Sequence, residues 1–230
     1  MYTVKTPFII PFLFQDYLWK VNTSSKEVFL TFDDGPTKGV TDKVLDLLKF
    51  YEAKATFFCV GEQIEKNPGL LKRIVKEGHT VGNHTYTHPH GWYCAPKVYI
   101  EEIEKTSDII QKYVGFRPKL FRPPYGKFSP STKKHIMKNY QIVMWDVLSG
   151  DFDEKMSTVD CITSVLSKYD KGSIIVLHDS KKSGQKLLEV LPDLLAYFFN
   201  NQIKMLPIKL QNTKQKYTNF QISLPFGKSF

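Results

Sequence analysis

Strand-like and helix-like patterns alternate along this chain seven times with short links, and that alternation limits the possible folds more than any other feature. Val28-Phe29-Leu30-Thr31-Phe32 reads as a buried strand, rich in β-branched and aromatic residues. Thr41 stands as a helix N-cap ahead of Val44, Leu45, Leu47 and Leu48, which recur at helical spacing. A strand over 55–60, a helix over 68–77 and a short extended piece over 80–82 follow. The longest helical pattern covers 97–114, with Ile100, Ile103, Ile110 and Val114 inward and Glu101, Glu102 and Glu104 outward. Leu120-Phe121 is a brief strand, and Ser129-Pro130 places proline at the first position of a helix reaching about residue 139. Strands over 141–145, 173–177 and 204–207 then alternate with helices over 159–169 and 187–199. This order requires about seven parallel strands joined by crossover helices, as an open doubly wound sheet or a (β/α) barrel. With no repeat, linker or low-complexity stretch to divide it, one domain is expected over residues 1–230.

Composition agrees with a packed core: 230 residues, 42% hydrophobic and 24% charged, exclude a disordered, collagen-like or coiled-coil chain. Cys59, Cys94 and Cys161 form no CxxC pair, so neither a disulfide framework nor a thiolate zinc finger is expected, and a reducing compartment is. The net charge of +9 is uneven: from Lys181 onward eight lysines face Glu189 and Asp193 alone. This reads as a solvated basic surface; without an RGG run or a zinc finger beside it, no nucleic-acid partner is expected. The apolar run Phe8-Ile9-Ile10-Pro11-Phe12-Leu13-Phe14 is short, interrupted by Pro11 and followed by no small-residue cleavage site. It matches neither a signal peptide nor a membrane span of about 20 residues, and is expected to pack on the domain. A cytoplasmic location follows by default. Nothing in the sequence points to a particular oligomeric state.

The polar residues fall in a pattern. Asp33 and Asp34 follow the first strand, His84 and His88 the third, Arg122 the fourth; Asp151 lies beyond the fifth, and His178-Asp179 closes the sixth. Parallel α/β folds build their active sites at these strand ends. His84 and His88, at i and i+4, would share one face of a helical turn and suit a metal, or be polar surface residues. Thr85 after the first histidine excludes the metalloprotease motif. Asp33-Asp34-Gly35-Pro36 is either a plain turn or a pair of diverging carboxylates, one on a metal and one facing substrate. Arg122-Pro123-Pro124-Tyr125-Gly126 is stiffened by its prolines, so Arg122 could grip a carboxylate by a bidentate bond or sit beside an ordinary turn. His178 suits acid–base chemistry near neutral pH or a simple hydrogen bond, and Asp151 could tune it or merely occupy its loop.

Taken together, TFDDGP at 31–36, HTYTH at 84–88, RPPYG at 122–126, WDVLSGDF at 145–152 and LHD at 177–179 resemble the polysaccharide deacetylase family. This is the NodB-homology or carbohydrate esterase family 4 group, and the resemblance spans about residues 28–206. It implies a distorted (β/α) barrel and a metal-dependent hydrolase that removes N-acetyl groups from glycans such as peptidoglycan or chitin oligomers. By position, Asp34, His84 and His88 would hold a divalent metal, most often zinc, and Asp33 would be the general base. Arg122 would orient Asp33, and the Tyr125 backbone N–H would face the oxyanion beside Pro124. His178 would be the general acid with Asp151 tuning it, while Leu177 and Phe152 would wall the acetyl pocket and Pro124 would also contact the substrate. Phe152 stands where the family usually has Trp. Two other readings stay open: an O-acetyl esterase acting on acetylated xylan, and a glycan-binding module without turnover. The expected partner is an N-acetylated glycan, and such a cell-wall substrate is at odds with the absence of a visible export signal.

Overall fold

β1 (Glu27–Asp33) runs through the middle of a parallel sheet in the computed structural model, which describes residues 3–210. On one side of it lie, in order, β2 (Thr56–Cys59), β3 (Thr80–Asn83), β4 (Leu120–Phe121) and β5 (Gln141–Ile142). On the other lie β7 (Ile174–His178) and then β6 (Val147–Leu148), while β8 (Lys204–Met205) pairs with the start of β1. Every pairing is parallel.

Side chains alternate across these strands. Leu30 and Phe32 of β1, with Ile175 and Leu177 of β7, join the larger core beneath α2 (Thr41–Phe50) and α8 (Gly184–Asn200), where Val44, Leu48, Leu187 and Leu191 are fully buried. Phe29 and Ile174 face the other way and form a smaller inner cluster with Phe58, Leu120 and Val143. α4 (Pro68–Lys76), α5 (Pro96–Val114), α6 (Pro130–Asn139) and α7 (Thr158–Lys168) complete the crossovers.

The sheet's two edge strands, β5 and β6, are nearly consecutive in sequence. Of the strand expected over 141–145 only 141–142 forms, as β5; β6 begins beyond that range, because the chain leaves β4 after Ile142 and next pairs with β7 at Val147. The N-terminal segment fills the gap. The Leu18 N–H donates to the Ile142 carbonyl at 2.8 Å, Met144 N–H to Leu18 at 2.8 Å, and Thr6 N–H to Asp146 at 2.9 Å. Seven strands curled in this way make the distorted (β/α) barrel that the resemblance implied.

Three local expectations are corrected. The apolar run 8–14 forms α1 (Ile9–Leu13) but does not bury its side chains: Phe8 is 81% and Phe12 66% exposed, and only Ile10 packs inward. Thr41 is the first residue of α2 rather than its cap, and its hydroxyl donates to Asp179 Oδ2 at 2.5 Å. A short helix, α3 (Gly61–Lys66), follows β2 where the sequence showed no separate element. Of the basic C-terminal region, Lys214, Lys216 and Lys228 lie outside the described residues. No helix among the described residues is long and apolar enough to cross a membrane.

Candidate active site

The C-terminal ends of β1, β3, β4, β6 and β7 open on one rim, as the positions of the polar residues implied. Asp33 of β1 and His178 of β7 are register partners there, so the two side chains start next to each other on the same face.

Asp33 is buried and accepts a hydrogen bond from Arg122 Nη1 at 2.7 Å. Arg122 is completely buried. Its Nη1 also reaches Thr31 Oγ1 at 2.7 Å, Nη2 the Met144 carbonyl at 2.9 Å and Nε the Val143 carbonyl at 3.3 Å. The guanidinium lies 4.2 Å over the Phe58 ring. The grip on Asp33 is therefore one bond and not the bidentate pair considered from sequence, because the other nitrogens are committed to backbone carbonyls. Burial lowers the Arg122 pKa, and the charge and hydrogen bond of Asp33 oppose this only in part.

Asp34, His84 and His88 converge: one ligand atom from each lies within 4.8 Å of the others. Asp34 Oδ1 is 3.2 Å from His88 Nε2 and 3.6 Å from His84 Nε2. The His84 Nδ1 donates to the Arg122 carbonyl at 2.7 Å, which leaves the Nε2 lone pair facing Asp34. Burial, with His88 beside it, lowers the His84 pKa to about 3, so the ring is neutral as a metal ligand must be. Asp34 Oδ1 is buried and has no hydrogen-bond partner. A buried carboxylate oxygen with no hydrogen-bond partner, set beside two imidazole nitrogens, fits a divalent cation.

The two histidines do not meet through helical spacing. Residues 84–88 form an irregular loop with Thr85 at φ 65° and His88 at φ 62°. Asp34 (φ 77°) and Tyr125 (φ 58°) are also left-handed, so four of the six non-glycine residues with positive φ among the described residues sit at this rim. Each costs on the order of 1–3 kcal/mol, which neighbouring contacts must offset.

Those contacts come partly from residues to which the sequence reading gave no role. Asp179 is buried, accepts the Gly35 N–H at 3.0 Å and donates its own N–H to the Asp33 carbonyl at 3.0 Å. A Cβ on Gly35 would lie 2.1 Å from Asp179 Oδ2, so only glycine fits there. Burial pushes the Asp179 carboxyl up to about 7, the Thr41 hydroxyl opposing and the charge of Asp34 adding to it. Glu102, read as outward from helical periodicity, turns toward the histidine loop: its Oε2 accepts the N–H groups of Tyr86 (3.0 Å) and Thr87 (2.7 Å) and the Thr87 hydroxyl (3.0 Å). Asn83 Oδ1 accepts the Thr85 N–H at 2.8 Å. The start of α3 links both turns, Val60 N–H to Gly35 O at 2.9 Å and Gly61 N–H to Thr85 O at 2.9 Å. The signals in sequence were only the HD dipeptide at 178–179 and a glutamate on a helix.

On the opposite wall, His178 Nδ1 lies 2.7 Å from Asp151 Oδ1, and its backbone N–H donates to Asp151 Oδ2 at 2.7 Å. Ser149 Oγ donates to Asp151 Oδ1 at 2.9 Å. Burial lowers the His178 pKa, but the charge and hydrogen bond of Asp151, with Asp34 and Asp33 behind them, outweigh it and bring the value to about 9. Phe152 stands edge-on to the His178 ring at 5.1 Å. Leu177 does not reach this face. Strand alternation sends it into the core against the helices, and Val176 shares the side of His178 instead.

Beyond His88 runs a row of rings. Tyr125 packs against His88 at 4.8 Å and stacks on His90 at 5.1 Å, and His90 stacks on Tyr93 at 4.5 Å. Trp92 is edge-on to His90 at 6.0 Å. Tyr93, Trp92 and Tyr125 are all well exposed, while Pro124 is buried behind Tyr125.

A model of the family described as polysaccharide deacetylase matches residues 20–145, more than half of the chain. The chain belongs to the polysaccharide deacetylase family. It is 39% identical over 197 residues to a peptidoglycan-N-acetylglucosamine deacetylase of Bacillus cereus, covering 83% of this deacetylase and 70% of the relative. It is 35% identical over 178 residues to the peptidoglycan-N-acetylmuramic acid deacetylase PdaC of Bacillus subtilis, of which it spans only 37%. Among solved structures, the Bc1960 peptidoglycan N-acetylglucosamine deacetylase superposes with a TM-score of 0.79 at 35% identity, covering 85% of this deacetylase and 93% of that chain.

Proposed function

We propose that this deacetylase removes N-acetyl groups from peptidoglycan- or chitin-type glycans, with a divalent metal, zinc in the first instance, held by Asp34, His84 and His88. The observation that carries the reading is the pairing across β1 and β7: a buried carboxylate, Asp33, beside an imidazole, His178, next to the unpartnered Asp34 Oδ1. The names of the relatives at 35–39% identity support an N-acetylated glycan as substrate. A bound cation would polarise the acetyl carbonyl and lower the pKa of water.

The chain's own residues supply the rest. Asp33, held by Arg122, takes the proton from the attacking water. His178, kept protonated by Asp151, gives a proton to the leaving amine nitrogen. Base and acid are separate groups here, one to take a proton from the attacking water and one to protonate the amine so that it can leave. The Tyr125 backbone N–H faces the tetrahedral oxygen, a donor of a kind worth about 10²–10³ in rate. Phe152 and Val176 wall the acetyl methyl. The exposed rings of Tyr125, Tyr93 and Trp92 offer flat apolar faces to the pyranose rings of an extended glycan.

Acetate release from N-acetylglucosamine oligomers, by chelated protein with and without added zinc, tests this reading. Zinc-dependent release supports it; none on any oligomer overturns the N-deacetylase assignment and would favour a module that binds glycan without turnover. Phe152, in place of the usual tryptophan against His178, keeps an O-acetyl esterase as the second reading. An alcohol leaves more readily than an amine, so His178→Ala should cost less on acetylated xylan than on an N-acetyl glycan.

A further inference from the structure

Two carboxylates outside the set of candidate ligands each hold one of the two ligand-bearing turns. Asp179 accepts the Gly35 N–H and the Thr41 hydroxyl, and Thr41 Oγ1 in turn accepts the Thr37 N–H at 2.7 Å. The Asp34-Gly35 turn is thus fixed from below at both ends of residues 35–41. Glu102 accepts three hydrogen bonds from Tyr86 and Thr87, between the two histidines. In both turns the ligand or its neighbour is a non-glycine residue in the left-handed region: Asp34, Thr85 and His88. Backbone of that kind relaxes when its anchors are lost. Neither carboxylate reaches the rim itself: Asp179 is buried behind Gly35, and Glu102 bonds to the outside of the loop.

We propose that Asp179 and Glu102 are positioning residues for metal binding, holding the Asp34 turn and the His84–His88 loop in the shape that brings their three ligand atoms together. This inference rests on the metal reading above. Groups that orient metal ligands commonly change affinity by 10–100-fold when removed. Without Asp179 the Gly35 N–H and Thr41 hydroxyl lose their common acceptor. Without Glu102 two backbone N–H groups lose theirs.

The test is zinc affinity of the full chain, measured by competition with a chromophoric chelator, with the melting temperature of the metal-free protein recorded alongside. Glu102→Ala and Asp179→Ala should each weaken zinc binding by about 10–100-fold. Thr41→Val should weaken it in the same direction and Thr41→Ser should restore it, which keeps the Asp179 arm testable should Asp179→Ala fail to fold. Leu191→Ala, a change in the larger core beneath α8, should lower the melting temperature and leave zinc affinity within about twofold of the parent. Zinc affinity within about twofold of the parent in Glu102→Ala, Asp179→Ala and Thr41→Val would overturn the inference, whatever their melting temperatures. Absence of zinc binding by the parent chain would instead overturn the metal reading on which it stands.

Discussion

His178 and Asp151 are joined twice, imidazole Nδ1 to Oδ1 and backbone N–H to Oδ2, both at 2.7 Å. The double contact fixes the ring's orientation and its charge together. In the metal-free protein the His178 pKa is raised from 6.5 to about 9. An NMR titration of the ring should therefore show it protonated at neutral pH, and Asp151→Asn should bring the midpoint back toward 6.5 or below. The sign for stability follows: the folded value exceeds the unfolded one, so this pair's contribution is complete below pH 6.5 and is lost as pH rises through about 9. Denaturant unfolding of Asp151→Asn across that window should show a flatter pH dependence than the parent.

Asp33→Asn keeps an acceptor for Arg122 but cannot take a proton. Turnover should fall by about 10²–10⁴, the usual contribution of a general base, while zinc stoichiometry stays unchanged. Retained activity in a clean preparation would remove Asp33 from that role.

His84→Ala or His88→Ala should give the opposite pattern, with loss of bound zinc. Treating the parent with a chelator should abolish acetate release, and added zinc should restore it. Metal content by elemental analysis, measured beside activity, checks both.

Arg122→Met removes a fully buried cation and leaves Asp33 and three other acceptors without their donor. Breaking a buried pair from one side costs about 3–5 kcal/mol, so the variant should lose that much in equilibrium unfolding by urea. A loss under 1 kcal/mol would mean that water or another donor replaces the guanidinium.

Trp92→Ala and Tyr93→Ala should raise KM for longer oligosaccharides and leave the shortest cleavable one nearly unaffected, with kcat unchanged in both cases. Equal effects at every chain length would place the rings outside the glycan path.

The alternation of strand and helix patterns was enough to specify a parallel sheet and to put the polar residues on one rim, because side-chain periodicity and turn chemistry are local properties. Asp33, Asp34, His84, His88, Arg122, Asp151 and His178 all stood out because each ends or follows a strand, and the resemblance of the motifs that hold them supplied their roles. The tertiary structure decided how they meet. His84 and His88 converge through two left-handed residues and not through a helical turn, since Asn83, Glu102 and the start of α3 bind that loop from three other elements. Leu177 points into the core because its parity on β7 is opposite to that of His178, and parity matters only once the sheet has two unlike faces. Asp179 and Glu102 could not be singled out in sequence, for their partners lie 144 residues away in one case and 15–16 in the other. Hydrogen bonds over such separations exist only after the barrel has curled, and they are what turn a list of strand-end residues into a site.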